Sequence, residues 1–284
     1  MPQNSQKLIN ARRNKDDEFY TPRADIDAEL KHYERYFRDK VVYLPCDNPA
    51  TSQFVKYFID NFQRLGIRKL ICNHYNPITK KGDCFRPYAI RLLRECDIIV
   101  TNPPFSLFNK FFKYITAYDK KYLIIGAMGG MSYKDVLPKL ADGKLWSGTR
   151  KGKNIRFLRP DGTYKNIRAM WYTNMKHPFM NKPLPLTTKY SPYLHPKINN
   201  QTAINVSSIR QIPMDYDETM AVPINFLELY NHSQFVIFKV MDNLQLGTKS
   251  LYRRVLIKRR ASYDPNMPNC FPTSTPEIGR LPFL

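Results

Sequence analysis

Through its first 143 residues the chain alternates two kinds of apolar pattern. Short runs of consecutive apolar side chains, Val41–Leu44, Lys69–Cys72, Asp97–Thr101 and Tyr122–Gly126, predict buried strands. Between them, apolar residues recur every three or four positions, which predicts helices. Asp25–Phe37 has this spacing, as do Phe54, Val55, Phe58 and Phe62 behind a capping Ser52, with Gly66 as their stop. Tyr88–Leu93, the set Phe108, Phe111, Phe112 and Ile115, and Tyr133–Leu140 follow the same rule. Strands alternating with helices through short loops predict a doubly wound, mostly parallel α/β sheet covered on both faces.

Ligands of such sheets sit outside the carboxyl ends of the strands. Pro45-Cys46-Asp47 and Asn102-Pro103-Pro104-Phe105 each follow a predicted strand directly, so both are expected on one rim. Past Lys144 the helical periodicity weakens and prolines crowd between Pro178 and Pro196. Phe235–Val240 and Tyr252–Ile257 are further expected strands. The organisation read from this is a flexible basic arm over 1–15, a catalytic core over 16–143, and a recognition lobe over 144–220. Strands that complete the core follow over 221–260, and a Pro-rich tail over 261–284.

Charge changes the picture most. Forty-five Lys and Arg stand against 24 Asp and Glu, a net +21. Thirteen of the basic residues fall between Lys144 and Arg210, with Asp161 the single acid there. A solvated basic face is the bland explanation. Nucleic acid is the better one, because dense Lys and Arg neutralise phosphate and release its counterions. Arg150, Lys151, Lys153 and Arg156 are the candidate contacts. No apolar run reaches the length of a membrane span, and the polar N-terminal residues lack the apolar stretch of a secretory signal. Five cysteines, none in a C-x-x-C pair, argue against a disulfide framework or a zinc site. A reducing cytoplasm is the expected location.

Asn102-Pro103-Pro104-Phe105 carries the chemistry. The lone pair of an aromatic amine is delocalised into its ring, so the amine is a poor nucleophile. Two acceptors set on its N–H bonds hold it in line with an electrophile and stabilise the positive charge that builds on nitrogen. The Asn102 side-chain oxygen and the Pro103 carbonyl can supply that pair. The prolines stiffen the loop, and Phe105 offers a flat face for a base taken out of its stack. The plainer alternative is a strand-to-helix turn, for which Asn-Pro and Pro-Pro are ordinary residues.

Asn-Pro-Pro-Phe after a strand resembles the signature of amino-methyltransferases with the class I S-adenosylmethionine fold, a Rossmann-like architecture. The chain is more specifically similar to the EcoRI-type adenine-specific DNA methyltransferase family. Asp17–Pro22, Tyr43–Pro49 with Ser52-Gln53-Phe54, Thr101–Phe108, Trp171–Asn174, Ile212–Asp217 and Val222–Leu227 carry that resemblance. It implies a direct transfer of methyl from S-adenosylmethionine to the N6 amine of a flipped adenine in duplex DNA, with no metal. It also implies a cognate restriction endonuclease as a functional partner. Carried over by position, Tyr20, Thr21 and Pro22 would touch the methionine end of the cofactor. Pro45, Cys46 and Asp47 would meet it at the first strand, with Asp47 accepting from its ammonium. Asp83, flanked by Cys84, would read its adenine amine.

Two departures stand out. No G-x-G loop follows the first strand, and Asn73-His74 stands where an acid usually binds ribose hydroxyls. Asp83 and Asp47 have bland alternatives as turn or capping residues, and Trp171 is open between a structural and a DNA-facing role. Two other functions stay in view: transfer to an RNA base or a protein glutamine, and a DNA-binding protein with a degenerate pocket.

Overall fold

The computed structural model describes residues 19–74, 84–149, 154–159 and 161–260. Its centre is a six-stranded sheet. The first four strands are β1 (Val41–Leu44), β2 (Lys69–Cys72), β3 (Ile98–Thr101) and β4 (Lys121–Ala127). The other two are β5 (Trp146–Ser147) and the strand Ala169–Thr173, which is β8 because the hairpin strands β6 (Ile155–Leu158) and β7 (Tyr164–Ile167) precede it. The order is β2-β1-β3-β4-β8-β5. Pairings among β1 to β4 are parallel, while β8 lies antiparallel to both β4 and β5.

Every residue of β1, β3 and β8 is buried, as expected for strands covered on both faces. The two-residue period divides them between two cores. Val41, Tyr43, Ile99, Ile124 and Tyr172 face one side, against Leu93 of α4 (Pro87–Glu95) and the phenylalanines of α5 (Phe108–Thr116). Val42, Leu44, Val100, Ile125 and Trp171 face the other. There they meet Ile26 and Leu30 of α1 (Arg23–Leu30) and Phe54, Val55 and Phe58 of α2 (Gln53–Asp60). The short α3 (Phe62–Leu65) ends at Gly66, which takes the left-handed φ of +62°. Ser52 caps α2 by accepting from the amides of Phe54 and Val55. The doubly wound α/β architecture is therefore present.

The expected helix Asp25–Phe37 is shorter. Regular helix stops at Leu30 and a 3-10 turn, Glu34–Tyr36, carries on. Ile26, Leu30, Tyr33 and Phe37 are nonetheless all buried, so the apolar spacing placed the right side chains inward.

The boundary drawn at residue 144 does not divide the structure. β5 and β8 come from the expected recognition lobe yet belong to the central sheet, and Trp171 is core at 1% exposure. The strands of 221–260 lie in a separate sheet. A second, four-stranded sheet is built from β9 (Ile204–Asn205), β10 (Met220–Pro223), β11 (Phe235–Met241) and, beyond the small hairpin of β12 (Gln245–Leu246) and β13 (Lys249–Ser250), β14 (Arg254–Arg259). Its order is β11-β14-β10-β9. Ile204, Val222, Phe235, Val255 and Ile257 of this sheet join the core on the α4 and α5 face of the central sheet. Among the described residues no helix is long and apolar enough to cross a membrane.

Candidate active site

The chain leaves β1 for β2 on one side and returns to β3 on the other, so the crevice of the sheet opens between the carboxyl ends of β1 and β3. Asp47 and Thr101 meet at that point. The buried Asp47 carboxylate accepts from Thr101 Oγ1 at 2.6 Å and from Ser52 Oγ at 2.7 Å. Its main-chain N–H donates to the carbonyl of Asn73 at 3.0 Å, so three strand ends are tied together here. Burial raises the Asp47 carboxyl to about 6, against the pull of the two hydroxyls, which favour the charged form.

Cys46 and Cys84 come together beside Asp47. Hydrogen bonding to the Cys84 thiol, with burial second, holds the Cys46 thiol well above its usual range. Both are free cysteines, and Cys84 is buried. Asn73, beside them, has no acidic character to replace the missing carboxylate. Its side chain is held between two tyrosines, accepting from Tyr88 at 3.3 Å and reaching Tyr43 at 3.4 Å.

Asn102 stands one residue beyond Thr101. Its Nδ2 donates to the main-chain carbonyl of Phe19 at 2.6 Å. Its Oδ1 is buried and has no partner. The donor end of the amide is thus engaged and the acceptor end left unsatisfied, which leaves an oxygen free to accept from an amine N–H. Pro103 is buried and Pro104 half-buried, followed by a 3-10 turn over Phe105–Leu107. Gly126 of β4 leaves room for the Phe108 ring at the head of α5, because a Cβ there would overlap that ring.

Phe19 is held from three directions. Its ring lies 5.5 Å from that of Phe105 and 5.7 Å from that of Phe157, and these two are 5.8 Å apart. Next to it, Tyr20 and Leu158 exchange two main-chain hydrogen bonds, of 2.8 and 3.0 Å, joining the segment to β6. Phe105 is therefore half-buried against Phe19 and Phe157. Thr21 is 4% exposed with an unpartnered hydroxyl, and Pro22 leads into α1.

The β6–β7 hairpin alternates in the same way. Phe157 points into the cluster and Arg156 points out, its guanidinium 4.3 Å from the centre of the exposed Tyr164 ring. Lys165 Nζ lies 5.5 Å from the centre of the Phe19 ring. Arg156 thus sits on the element that braces the motif. Asp83, Arg150, Lys151 and Lys153 lie outside the described residues, as do the arm and the tail.

Sequence reasoning passed over Phe19, Thr101, Ser52 and Phe157 as site members. Thr101 and Ser52 were visible as a strand end and a helix cap. Nothing local in the sequence connects Phe19 or Phe157 to Asn102.

A doubly wound sheet with Asn-Pro-Pro-Phe at its switch point and a buried acid at the end of β1 defines an amino-methyltransferase. The chain belongs to the family described as adenine-specific methyltransferase EcoRI, which it matches over residues 7–85 and 76–269. It is an adenine-specific methyltransferase. It is 34% identical over 313 aligned positions to the type II methyltransferase M.EcoRI of Escherichia coli, a match that covers 89% of this chain and 96% of the relative. The type II methyltransferase M.MgeORF184P of Mycoplasma genitalium is 27% identical, over 87% of this chain and 90% of that protein. M.MpnI of Mycoplasma pneumoniae, also a type II methyltransferase, is 29% identical, over 82% and 85% respectively.

Proposed function

We propose that this chain methylates the N6 amine of an adenine extruded from duplex DNA, with S-adenosylmethionine as donor. The observation that carries the reading is the buried, unpartnered Oδ1 of Asn102, beside the switch point, with the opposite end of its amide tied to the Phe19 carbonyl. A flipped base presents two amine hydrogens. Oδ1 accepts one, and the Pro103 carbonyl accepts the other. With both engaged, the nitrogen lone pair turns out of conjugation and the growing positive charge meets two oxygens fixed in advance. Phe105 offers a ring edge or face for the base, backed by Phe19 and Phe157.

The residues present fit the donor. A buried carboxylate with two hydroxyl supports, Asp47, suits its ammonium group, and the unpartnered Thr21 hydroxyl lies on the segment next to Asn102. When bound, the donor supplies an electrophilic methyl on a sulfonium. Tyr20, Thr21, Pro22, Pro45 and Cys46 would line it, with Asp83 and Cys84 towards its adenine. This chain's contribution is to position the amine and exclude water. No side chain needs to form a bond to the base.

The charge of +21 and the outward Arg156 support duplex DNA as the substrate. The type II names of the relatives support a functional pairing with a restriction endonuclease of the same specificity, and the free cysteines agree with a reducing cytoplasm.

The test is incubation with labelled S-adenosylmethionine and mixed-sequence duplex DNA, a structured RNA alongside, followed by digestion to nucleosides. Label in N6-methyldeoxyadenosine is the expected result. Label in the RNA alone, or in cytosine, overturns the reading.

A further inference from the structure

A second charged cleft lies at the other end of the central sheet. It opens where β4 begins and β8 ends, and it encloses about 470 Å³. β4 runs seven residues from Lys121 to Ala127. At the usual rise of a strand, the cleft is roughly 20 Å from the rim that carries Asn102. A group held in one does not touch the other.

Lys120, Lys121, Lys139, Lys144 and Lys176 line the cleft against a single carboxylate, Asp119. Lys144 is paired with Asp142 at 3.4 Å, and Lys120 donates to the carbonyl of Arg94 at 2.9 Å. Among the described residues, Lys121 and Lys139 make no ion pair. The protein therefore gathers ammonium groups here, and two of them, Lys121 and Lys139, have no carboxylate of the described residues paired with them to offset their charge.

The side-chain amide and hydroxyl groups of Asn174 and Thr116 in the lining are already engaged. Asn174 accepts from the amide of Tyr122 and donates to the carbonyl of Lys120, and the Thr116 hydroxyl donates back to Phe112. The charged groups that the cleft offers a ligand are thus chiefly cationic donors, which favours an anion. Its size decides which. A lone phosphate would fill a small part of the space, and a duplex is too wide to enter. Two aromatic rings, Tyr36 and the half-buried Trp146, complete the lining, and the indole N–H of Trp146 has no hydrogen-bond partner. Lysines for phosphates beside rings for a base describe a nucleotide site.

We propose that this cleft binds a nucleoside triphosphate, with the phosphates on Lys121 and Lys139 and the base against Trp146 or Tyr36. The site is separate from the methyl-transfer rim and independent of its assignment.

The chain has two tryptophans, and Trp171 is buried at 1% exposure, so quenching of Trp146 reports the cleft. The probe is CTP, titrated with the donor site filled by S-adenosylhomocysteine. Saturable quenching is expected, and it should vanish in Trp146→Phe. Affinity should fall at least about tenfold in Lys121→Ala/Lys139→Ala. The charge-retaining pair Lys121→Arg/Lys139→Arg should keep it, and duplex methylation should stay unchanged in all three. Absence of quenching overturns the proposal, as does affinity indifferent to the two lysines. Equal affinity for inorganic triphosphate would remove the base from the site. Displacement of CTP by duplex DNA, with a parallel loss of DNA affinity in the alanine pair, would make the cleft a DNA track instead.

Discussion

Asn102 donates its side-chain amide to the main-chain carbonyl of Phe19, 83 positions earlier in the chain, at 2.6 Å. The bond costs the reaction nothing, since the hydrogen it uses is not the group that handles the amine. It decides which end of a nearly symmetric side chain faces the substrate. Asn102→Ala should lower the methylation rate roughly 100- to 1,000-fold, the range for removing one fixed transition-state hydrogen bond. Donor affinity, measured by calorimetry, should be nearly unchanged. Loss of folding in place of loss of rate would give Asn102 a structural role.

Phe157 tests the brace. Its side chain is fully buried and contacts both Phe19 and Phe105. Phe157→Ala should cost about 3 kcal/mol of stability, as large-to-small core changes do. The variant should also turn over more slowly below its melting temperature, because the Phe19 carbonyl loses its backing. Normal single-turnover rates in the folded variant would separate the ring cluster from catalysis.

Asp47 predicts a pH dependence whose sign is set by burial. Its carboxyl titrates near 6 in the folded chain, above the ordinary value near 4. The native state therefore binds this proton more tightly than the unfolded chain does. The group's contribution to stability is greatest below about 4 and is lost as pH rises to about 6. Asp47→Asn should gain melting temperature relative to the parent protein above pH 6, and the gap should close towards pH 4. Donor affinity should run the other way, because an ammonium needs the carboxylate. It should be flat above pH 7, weaken about tenfold per unit below 6, and lose this dependence in Asp47→Asn.

Arg156 stands outward on the hairpin whose inner face braces Phe19. Arg156→Ala should reduce the slope of log affinity for duplex DNA against log salt by about 0.9, the value for one phosphate contact. An unaltered slope would place the DNA elsewhere. Replacing Arg150, Lys151 and Lys153 together should flatten it further, and Asp83→Ala should weaken the donor and leave DNA affinity alone.

Gly126 has a role set by contact. A methyl group there would overlap the Phe108 ring, which is itself buried and so cannot swing away. Gly126→Ala should destabilise the fold by about 1–3 kcal/mol. It should also disturb the start of α5, directly after the turn over Asn102–Phe105, which chemical denaturation and turnover would both read.

The sequence by itself determined the strands β1 to β4, the helices between them and the turn that carries Asn102. These follow from local constraints: the two- and 3.6-residue periods of buried side chains, the cap at Ser52, and prolines that forbid helix where the chemistry needs a stiff loop. From the parallel alternation it also followed that Asp47 and Asn102 share a rim. Tertiary structure alone decided the rest. Ala169–Thr173 has the composition of any buried strand, and nothing in it says that it pairs antiparallel with β4 and not with the later strands. The second sheet depended likewise on which edges remained open. The contacts that complete the site join residues 54 and 83 positions apart, Thr101 to Asp47 and Asn102 to Phe19. Periodicity fixes which face a side chain occupies within its own element. Which elements meet is settled by long-range burial and hydrogen-bond satisfaction across the whole fold, and those have no local signature.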